Sequence, residues 1–291
     1  MDDLIMHRLL RAVLFVSVTV SSSMAAEESK LTMHWEDEIL TIRGNHLPGK
    51  EMKIWYLEAY CRDNSQTTHW GQHTVVGHET ELISRNEEGT RIRLQCTVSD
   101  GLIVNHVITS SHDEIDIRIT AHNPTDKRSE AHWAQPCVRV GTFTGTGADR
   151  TDDKYAYLAK SFMFLDGKLA GMPSRDWAKE ARYTPGQVWA GPGVPRADVN
   201  PRPLHPDVPS NGLIGCFSED DSMIFAIAFE PYQELFQGVI RCLHSDFRLG
   251  GLEPEETLEI NGKMYFIENN VQALLKRYKE DFPDSESLHR Q

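Results

Sequence analysis

The chain has 291 residues, of which 43 are acidic and 30 are basic, and its formal net charge at pH 7 is −13. This balance excludes a nucleic-acid-binding surface, because phosphate contacts require clustered Lys and Arg side chains. It also disfavours polyanionic substrates, so a neutral or weakly charged carbohydrate is the more compatible partner.

The first 26 residues have the pattern of a secretory signal peptide. Residues 6–11 carry the basic side chains, residues 12–20 are apolar, and mostly small residues follow up to position 26. The apolar run is shorter than the ~20 residues of a membrane-spanning helix, so we expect cleavage and no stable membrane anchor. Translation begins at Met1 or Met6. The mature chain, residues 27–291, is expected to be extracytoplasmic, either periplasmic or secreted.

Short runs of alternating polar and apolar residues follow, and they predict antiparallel strands with one solvated face. In chain order the predicted strands are 31–35, 39–43, 53–61, 91–98, 102–108, 114–121, 155–165, 212–217 and 223–229. Asp100 and Gly101 predict a tight hairpin between two of them. Six prolines within 189–211 predict an irregular surface loop.

Residues 271–282 form the segment with a convincing helical pattern. An apolar stripe runs along it and Pro283 ends it; the stripe consists of Val271, Leu274, Leu275 and Tyr278. Many strands with one helix predict an all-β fold, a large antiparallel β-sandwich with one C-terminal helix. No repeat or linker divides residues 27–291, so we expect a single β-sandwich domain.

The cysteines predict buried free thiols rather than disulfides. Their number is odd, none forms a Cys-x-x-Cys pair, and each lies in an apolar or alternating stretch; they are Cys61, Cys96, Cys137, Cys216 and Cys242. In such surroundings cysteine behaves as a small buried hydrophobic residue.

Three of the six tryptophans directly follow a histidine, at 34–35, 69–70 and 132–133. Neighbouring side chains on a strand point to opposite faces, so each pair can place one ring in the core and one at a cleft. Indole faces suit sugar rings, and imidazoles suit proton transfer or metal binding. The pattern favours a carbohydrate site.

Two parts of the chain carry a resemblance to a known fold family. The first comprises the Asp100 hairpin, the strand that ends in residues 121–125, and the next strand with His132; the second comprises residues 242–245, 252–256 and 263–266. Together they resemble the galactose mutarotase-like β-supersandwich of aldose 1-epimerases and of several glycan-degrading enzymes. The resemblance implies a supersandwich fold that handles carbohydrate.

The resemblance also implies catalytic roles for two residues, and strand geometry adds a third. His132 matches the histidine general acid of the epimerases, and His244 stands where that family has a glutamate general base. Asp246, two residues further along the same strand, would share the face of His244 and orient its ring. Such a pair could serve sugar epimerisation or lyase-type β-elimination, and both reactions stay open.

Five further residues are predicted to bind the substrate: Trp70, Trp133, Gln135, His73 and His78. Either indole could form a stacking wall, and Gln135 comes beside His132 if Pro136 introduces a bulge. No cofactor is predicted. As an alternative, His69, His73 and His78 could hold a divalent metal, in a segment whose glycines and β-branched residues predict a loop leading into a strand.

Two other classes of function fit the same residues. One is a noncatalytic extracytoplasmic glycan-binding module, and the other is a secreted structural or interaction domain. Convergence of His73, His132 and His244 around one pocket would favour an enzyme, whereas dispersed histidines would favour the structural class.

Overall fold

A computed structural model of the chain describes residues 30–64, 69–147, 156–172, 188–200, 204–238 and 240–283. The predicted signal peptide lies outside these residues, as do parts of the predicted strand 155–165 and of the predicted loop 189–211. None of the helices in the described residues is long and apolar enough to cross a bilayer.

The described residues form strands and two α-helices. The strands are β1 Thr32–Glu36, β2 Ile39–Arg43, β3 Glu51–Cys61, β4 Val75–Val76, β5 His78–Arg85, β6 Arg91–Val98, β7 Ile103–Ser110, β8 Glu114–His122, β9 Trp133–Arg139, β10 Ser161–Leu165, β11 Lys168–Gly171, β12 Val188–Ala190, β13 Ile214–Phe217, β14 Met223–Glu230, β15 Tyr232–Gln237, β16 Cys242–Arg248 and β17 Thr257–Glu268. The helices are α1 Trp70–His73 and α2 Val271–Asp281, and a 3₁₀ turn spans Leu158–Lys160.

The strands build two antiparallel sheets. The eight-stranded sheet has the order β1-β2-β3-β9-β16-β15-β12, with β4 added to β3, and the nine-stranded sheet has the order β11-β10-β13-β14-β17-β8-β7-β6-β5. Apolar side chains of both sheets, such as Ile54 and Val138 of the first and Ile92 and Ile117 of the second, form one continuous buried cluster. The sheets therefore pack face to face, and the predicted all-β sandwich is confirmed.

Strand β6 shows how the sequence dictates this packing. Ile92, Leu94, Cys96 and Val98 are buried, and the residues between them are partly or fully exposed. Period-two alternation places every second side chain on the inner face, where its removal from water stabilises the fold. The same rule holds along β7 and β8.

The predicted C-terminal helix is confirmed as α2. Asn270 caps it, since its side-chain oxygen accepts a hydrogen bond from the backbone N–H of Ala273 at 3.0 Å. Leu274 and Tyr278 are buried in a second apolar cluster with residues of β14, among them Ile224. The helix thus covers part of the outer face of the nine-stranded sheet.

The cysteine prediction is also confirmed, because all five cysteines are buried thiols outside any disulfide. One local prediction is wrong: residues 70–73 form the single helical turn α1 rather than a loop. That turn closes through bonds from His73 N–H and Thr74 N–H to the carbonyls of His69 and Trp70.

A polar cluster lies between the sheets around His106, a residue that the strand pattern predicts to face the core. The His106 ring is buried and contacts the Tyr56 hydroxyl at 2.9 Å and the Tyr60 hydroxyl at 3.4 Å. Burial, with a smaller contribution from the nearby His78, lowers the pKa of His106 to about 3. The folded state therefore holds this imidazole neutral.

Acid should destabilise the fold through His106. The unfolded residue has a pKa of ~6.5, so between that value and about 3 the unfolded chain binds an extra proton, and the free energy of unfolding falls with falling pH. At pH 5 the free energy of unfolding is thereby lowered by ~2 kcal/mol. In His106→Leu that part of the pH dependence should be absent, while the unpaired tyrosine hydroxyls cost about 1–3 kcal/mol at pH 7.

Urea denaturation at pH 7 and pH 5 measures both effects. The control is His73→Leu, which changes an exposed histidine and should keep the wild-type pH dependence. An equal loss of stability between the two pH values in wild type and His106→Leu would show that His106 does not carry the effect.

Candidate functional site

Polar side chains collect on the outer face of the eight-stranded sheet, the face turned away from the nine-stranded sheet. On β16, Leu243 and Phe247 belong to the core between the sheets. The alternate side chains therefore lie on the outer face; they are Cys242, His244, Asp246 and Arg248. On β9, Ala134 and Val138 belong to the same core, which leaves Trp133, Gln135, Cys137 and Arg139 on the outer face.

The register of β9 and β16 pairs these side chains across the strands. Cys242 lies opposite Arg139 and Arg248 lies opposite Trp133. Continuing that register places His244 opposite Cys137 and Asp246 opposite Gln135. Four of the residues predicted from the sequence thus share one face: Trp133, Gln135, His244 and Asp246.

His132 lies at one end of this face, just before β9. Its backbone carbonyl accepts hydrogen bonds from the N–H groups of Leu249 and Gly250, each at 2.8 Å. The ring is half-buried, and among the described residues its buried Nδ1 has no hydrogen-bond partner. Gly251 packs directly against the ring, because a Cβ at that position would lie 2.4 Å from His132 Nε2.

Charged groups surround the His132 ring. Burial, the largest effect, lowers its pKa, and the Arg128 and Arg248 guanidinium groups lower it further. The carboxylates of Asp63 and Asp198 act in the opposite direction. At neutral pH the ring is therefore uncharged, in a polar setting that contains both signs of charge.

A hydrogen-bond chain connects this end of the face to distant parts of the sequence. Arg248 donates to the Gln233 side chain, which donates to the Asp198 carbonyl at 3.2 Å. The Asp198 carboxylate accepts from the backbone N–H of Asn64 at 3.3 Å. The segments around residues 64 and 198 are thereby held beside the end of β16.

The two predicted tryptophans pack against each other, with ring centroids 6.2 Å apart. Trp133 is completely buried, whereas Trp70 on α1 is only half-buried. A buried indole cannot stack on a ligand, so the prediction of Trp133 as a sugar platform is corrected to a packing role. Trp70 exposes part of its ring and keeps the predicted contact surface.

The far end of the face is closed. His244 and Asp246 are 2% and 0% exposed. Phe236 of β15 stacks on the His244 ring with centroids 4.0 Å apart and an angle of 13° between the planes. The Nε2 atom of His244 lies 3.2 Å from Cys242 Sγ, and its Nδ1 atom lies 3.8 Å from Asp246 Oδ1.

The structure does not bring His132 and His244 together. The His132 backbone bonds to Leu249, and Leu249 is five residues from His244 along β16. At ~3.3 Å per residue the two backbones are roughly 16 Å apart. That distance is too long for an acid and a base acting on neighbouring atoms of one sugar ring.

The remaining predicted residues lie elsewhere. His73 is exposed on α1, with its ring 6.2 Å from that of His69. His78 begins β5 of the nine-stranded sheet, and its ring meets that of Tyr60 at 5.0 Å. Gln135 is buried and donates to Glu58 at 3.4 Å. A shared pocket of His73, His132 and His244 is therefore not formed. The convergence expected of an enzyme is absent from these residues, which favours the structural class, and a catalytic proposal has to rest on His132 alone.

Sequence patterns did not point to several members of this face. Among the described residues, the one group of three side chains with ligand atoms close enough to hold a metal is Cys137, Cys242 and His244. It contains none of the three histidines predicted as a metal site. The strands that carry it pair across a long stretch of chain, so no short-range spacing marks it.

The chain resembles known proteins in its arrangement of strands. No protein-family model matches the chain, and no curated protein matches it. Solved structures do match. The Slr1438 protein of Synechocystis sp. PCC 6803 has a TM-score of 0.44 and 11% identity, over 81% of this chain and 95% of that protein. A protein of Escherichia coli K12 described as a candidate aldose 1-epimerase has a TM-score of 0.43 and 8% identity, over 81% and 98%.

A galactose mutarotase-like protein of Lactobacillus casei ATCC 334 has a TM-score of 0.39 and 8% identity, over 81% of this chain and 99% of that protein. Two of these three descriptions name the family that the sequence motifs resemble. At these identities and TM-scores the likeness concerns the arrangement of strands alone. The class defined by the fold is a two-sheet antiparallel sandwich with a polar outer face on its eight-stranded sheet.

The contact between Gly251 and His132 yields a direct test of the site geometry. In Gly251→Ala the added methyl group overlaps His132 Nε2, so the ring must move outwards, and its pKa should rise towards the ordinary value. NMR titration of the imidazole protons measures this. Gly250→Ala is the matched control, because Gly250 has a similarly positive φ of +79° but open space around it. Identical His132 titration in both variants and wild type would contradict the packing described here.

Proposed function

We propose that the mature chain is an extracytoplasmic protein that acts on a neutral or weakly charged sugar or glycan by histidine acid–base chemistry, of epimerase or lyase type. The reacting site is the end of the outer face around His132. One observation carries the proposal: two carboxylates and two guanidinium groups act on the half-buried imidazole of His132.

His132 starts this chemistry as a proton acceptor. The sequence resemblance implies a proton donor, but burial favours the uncharged ring, which is the form that accepts a proton. A neutral imidazole at neutral pH accepts a proton from a sugar hydroxyl or an acidic C–H and returns it in a later step.

The neighbouring groups suit a carbohydrate. Arg128 and Arg248 donate hydrogen bonds to hydroxyl groups or to a single carboxylate, and Asp63 and Asp198 accept them. The exposed part of Trp70 packs on the C–H face of a sugar ring. The roles predicted for His244 and Asp246 in proton transfer stay predictions; their distance along β16 favours a nearer partner for His132.

Replacement of His132 tests the catalytic proposal. His132→Gln should lower the rate by about 10²–10⁴-fold, the usual contribution of general acid–base catalysis. Wild-type activity should fall on acidification with a midpoint below ~6.5, the ordinary histidine pKa, because burial lowers the His132 pKa and the acceptor form is lost on protonation. The assays are anomer exchange of reducing sugars by NMR and the ultraviolet absorbance of unsaturated products from uronate polysaccharides.

His122→Gln is the control, since His122 lies on β8 of the nine-stranded sheet and bonds to Thr257. It should keep the wild-type rate. Unchanged activity in His132→Gln would remove His132 from the chemistry, and no activity on any of these substrates would remove the enzyme proposal.

A noncatalytic glycan-binding module is the second candidate, favoured by half-buried Trp70, whose tilted ring packs on buried Trp133 and stays partly exposed. Calorimetric titration with oligosaccharides separates the two. In a binding module Trp70→Ala weakens binding, His132→Gln has little effect, and no turnover accompanies binding. In an enzyme His132→Gln abolishes turnover while binding persists.

The extracytoplasmic location rests on residues 1–26, which lie outside the described part of the chain. We expect the exported protein to begin at Ala26 or Glu27 after signal-peptide cleavage. Expression of the full chain in a bacterial host, followed by mass spectrometry of the periplasmic fraction, measures the new N-terminus. An uncleaved chain that stays in the cytoplasm would contradict this location.

A further inference from the structure

The geometry points to a second site at the closed end of the outer face. We propose that Cys137, Cys242 and His244 bind one Zn²⁺ ion through two thiolate sulfurs and the Nε2 atom of the imidazole. This inference does not rest on the proposed sugar chemistry, and it gives His244 a role as a ligand rather than as a proton acceptor.

The distances between the ligand atoms suit one ion. The two sulfurs and one imidazole nitrogen all lie within 4.8 Å of one another, and Cys242 Sγ is 3.2 Å from His244 Nε2. Tetrahedral zinc has Zn–S distances of about 2.3 Å and Zn–N distances of about 2.0–2.1 Å, so neighbouring ligand atoms are roughly 3.5–3.8 Å apart. Small side-chain rotations bring the three atoms to that spacing.

The strands hold the three side chains on one face. Cys242 and His244 are alternate residues of β16, and Cys137 lies on the paired strand β9, opposite His244 in the continued register. All three are buried, with 1% exposure for Cys137 and 2% for each of the other two. A ligand set supplied by paired strands is rigid, which favours metal binding.

The second nitrogen of His244 provides independent support. Its Nδ1 atom faces Asp246 Oδ1 at 3.8 Å, while Nε2 faces the thiol. Histidines that bind metals generally direct their other ring nitrogen towards a carboxylate or carbonyl, which fixes the tautomer and the ring orientation. Stacking on Phe236 holds the plane of the same ring.

The register argues against a disulfide between the same cysteines. Because Cys242 is opposite Arg139, it is a diagonal neighbour of Cys137, and diagonal positions have Cα atoms about 7–8 Å apart. A disulfide needs Cα atoms at about 4.4–6.8 Å. The two sulfurs can therefore share an ion without the backbone movement that an S–S bond requires.

Charge balance also suits a divalent cation. Two thiolates carry a charge of −2, which Zn²⁺ cancels. Each thiol releases its proton on binding, so the affinity should rise with pH. Zinc and thiolate are a matched pair in softness, whereas Mg²⁺ and Ca²⁺ prefer oxygen ligands.

Metal binding by the reduced full-length mature protein tests the proposal. Metal-free protein is first reduced with excess thiol, and the thiol is removed just before zinc is added. Elemental analysis after desalting should then give one ion per chain. Cobalt serves as a spectroscopic probe, because thiolate ligation produces a charge-transfer absorption that oxygen or imidazole ligands do not. Both results can be obtained with the wild-type protein, so they stand even if a variant fails to fold.

Variants then locate the site. Cys242→Ser and Cys137→Ser should lose the cobalt–thiolate absorption and weaken zinc binding by more than 100-fold, and Asp246→Asn should weaken it by about 10–100-fold. Cys216→Ser is the matched control, because Cys216 is a buried free cysteine of the nine-stranded sheet outside the group. It should bind as the wild type does.

Three outcomes would overturn the proposal. One is the absence of bound zinc and of the cobalt–thiolate absorption in fully reduced protein. Another is a Cys137–Cys242 disulfide found by non-reducing mass spectrometry of protein isolated without reductant. The third is binding that survives Cys242→Ser and is lost in His73→Ala, which would assign the metal to the histidines near α1 instead.

Discussion

Face-to-face packing of the two sheets is the interaction on which the rest of the structure depends. Burial of apolar area between them fixes which side chains of each strand point inwards, and period-two geometry then decides what the outer face displays. On β16 the inward positions are Leu243 and Phe247. The alternate positions between them are forced onto the outer face, where their side chains, His244 and Asp246, become buried in turn. A hydrophobic constraint thus arranges the polar chemistry.

That outer face has two ends with different character. Around His132 it carries charged groups of both signs. Around His244 it is closed, rigid and rich in sulfur, as an ion that stays bound requires. The pairing of β9 with β16 spans both ends, so one hydrogen-bonded ladder holds both sets of side chains.

The sequence predicts those parts of the fold where polarity alternates. Strands β6, β7 and β8 have one core face and one wetter face, and α2 has a clear apolar stripe, so all four were found. Strands β15 and β16 are buried on both faces, so their residues show no alternation. Strand pairing also decides where along the sheet each histidine lies. Composition cannot place His132 and His244 at opposite ends, or bring Cys137 beside Cys242.

The continuous register of β9 and β16 sets a limit on how this region can change. One residue gained or lost within a strand reverses the facing of the side chains beyond it, so a single insertion between Leu243 and Phe247 would leave only one of them in the apolar interior. An insertion in the turn at 253–256 does not reverse any side chain in this way, because the exposed residues of that turn lie between strands. Variation in length is therefore confined to the turns.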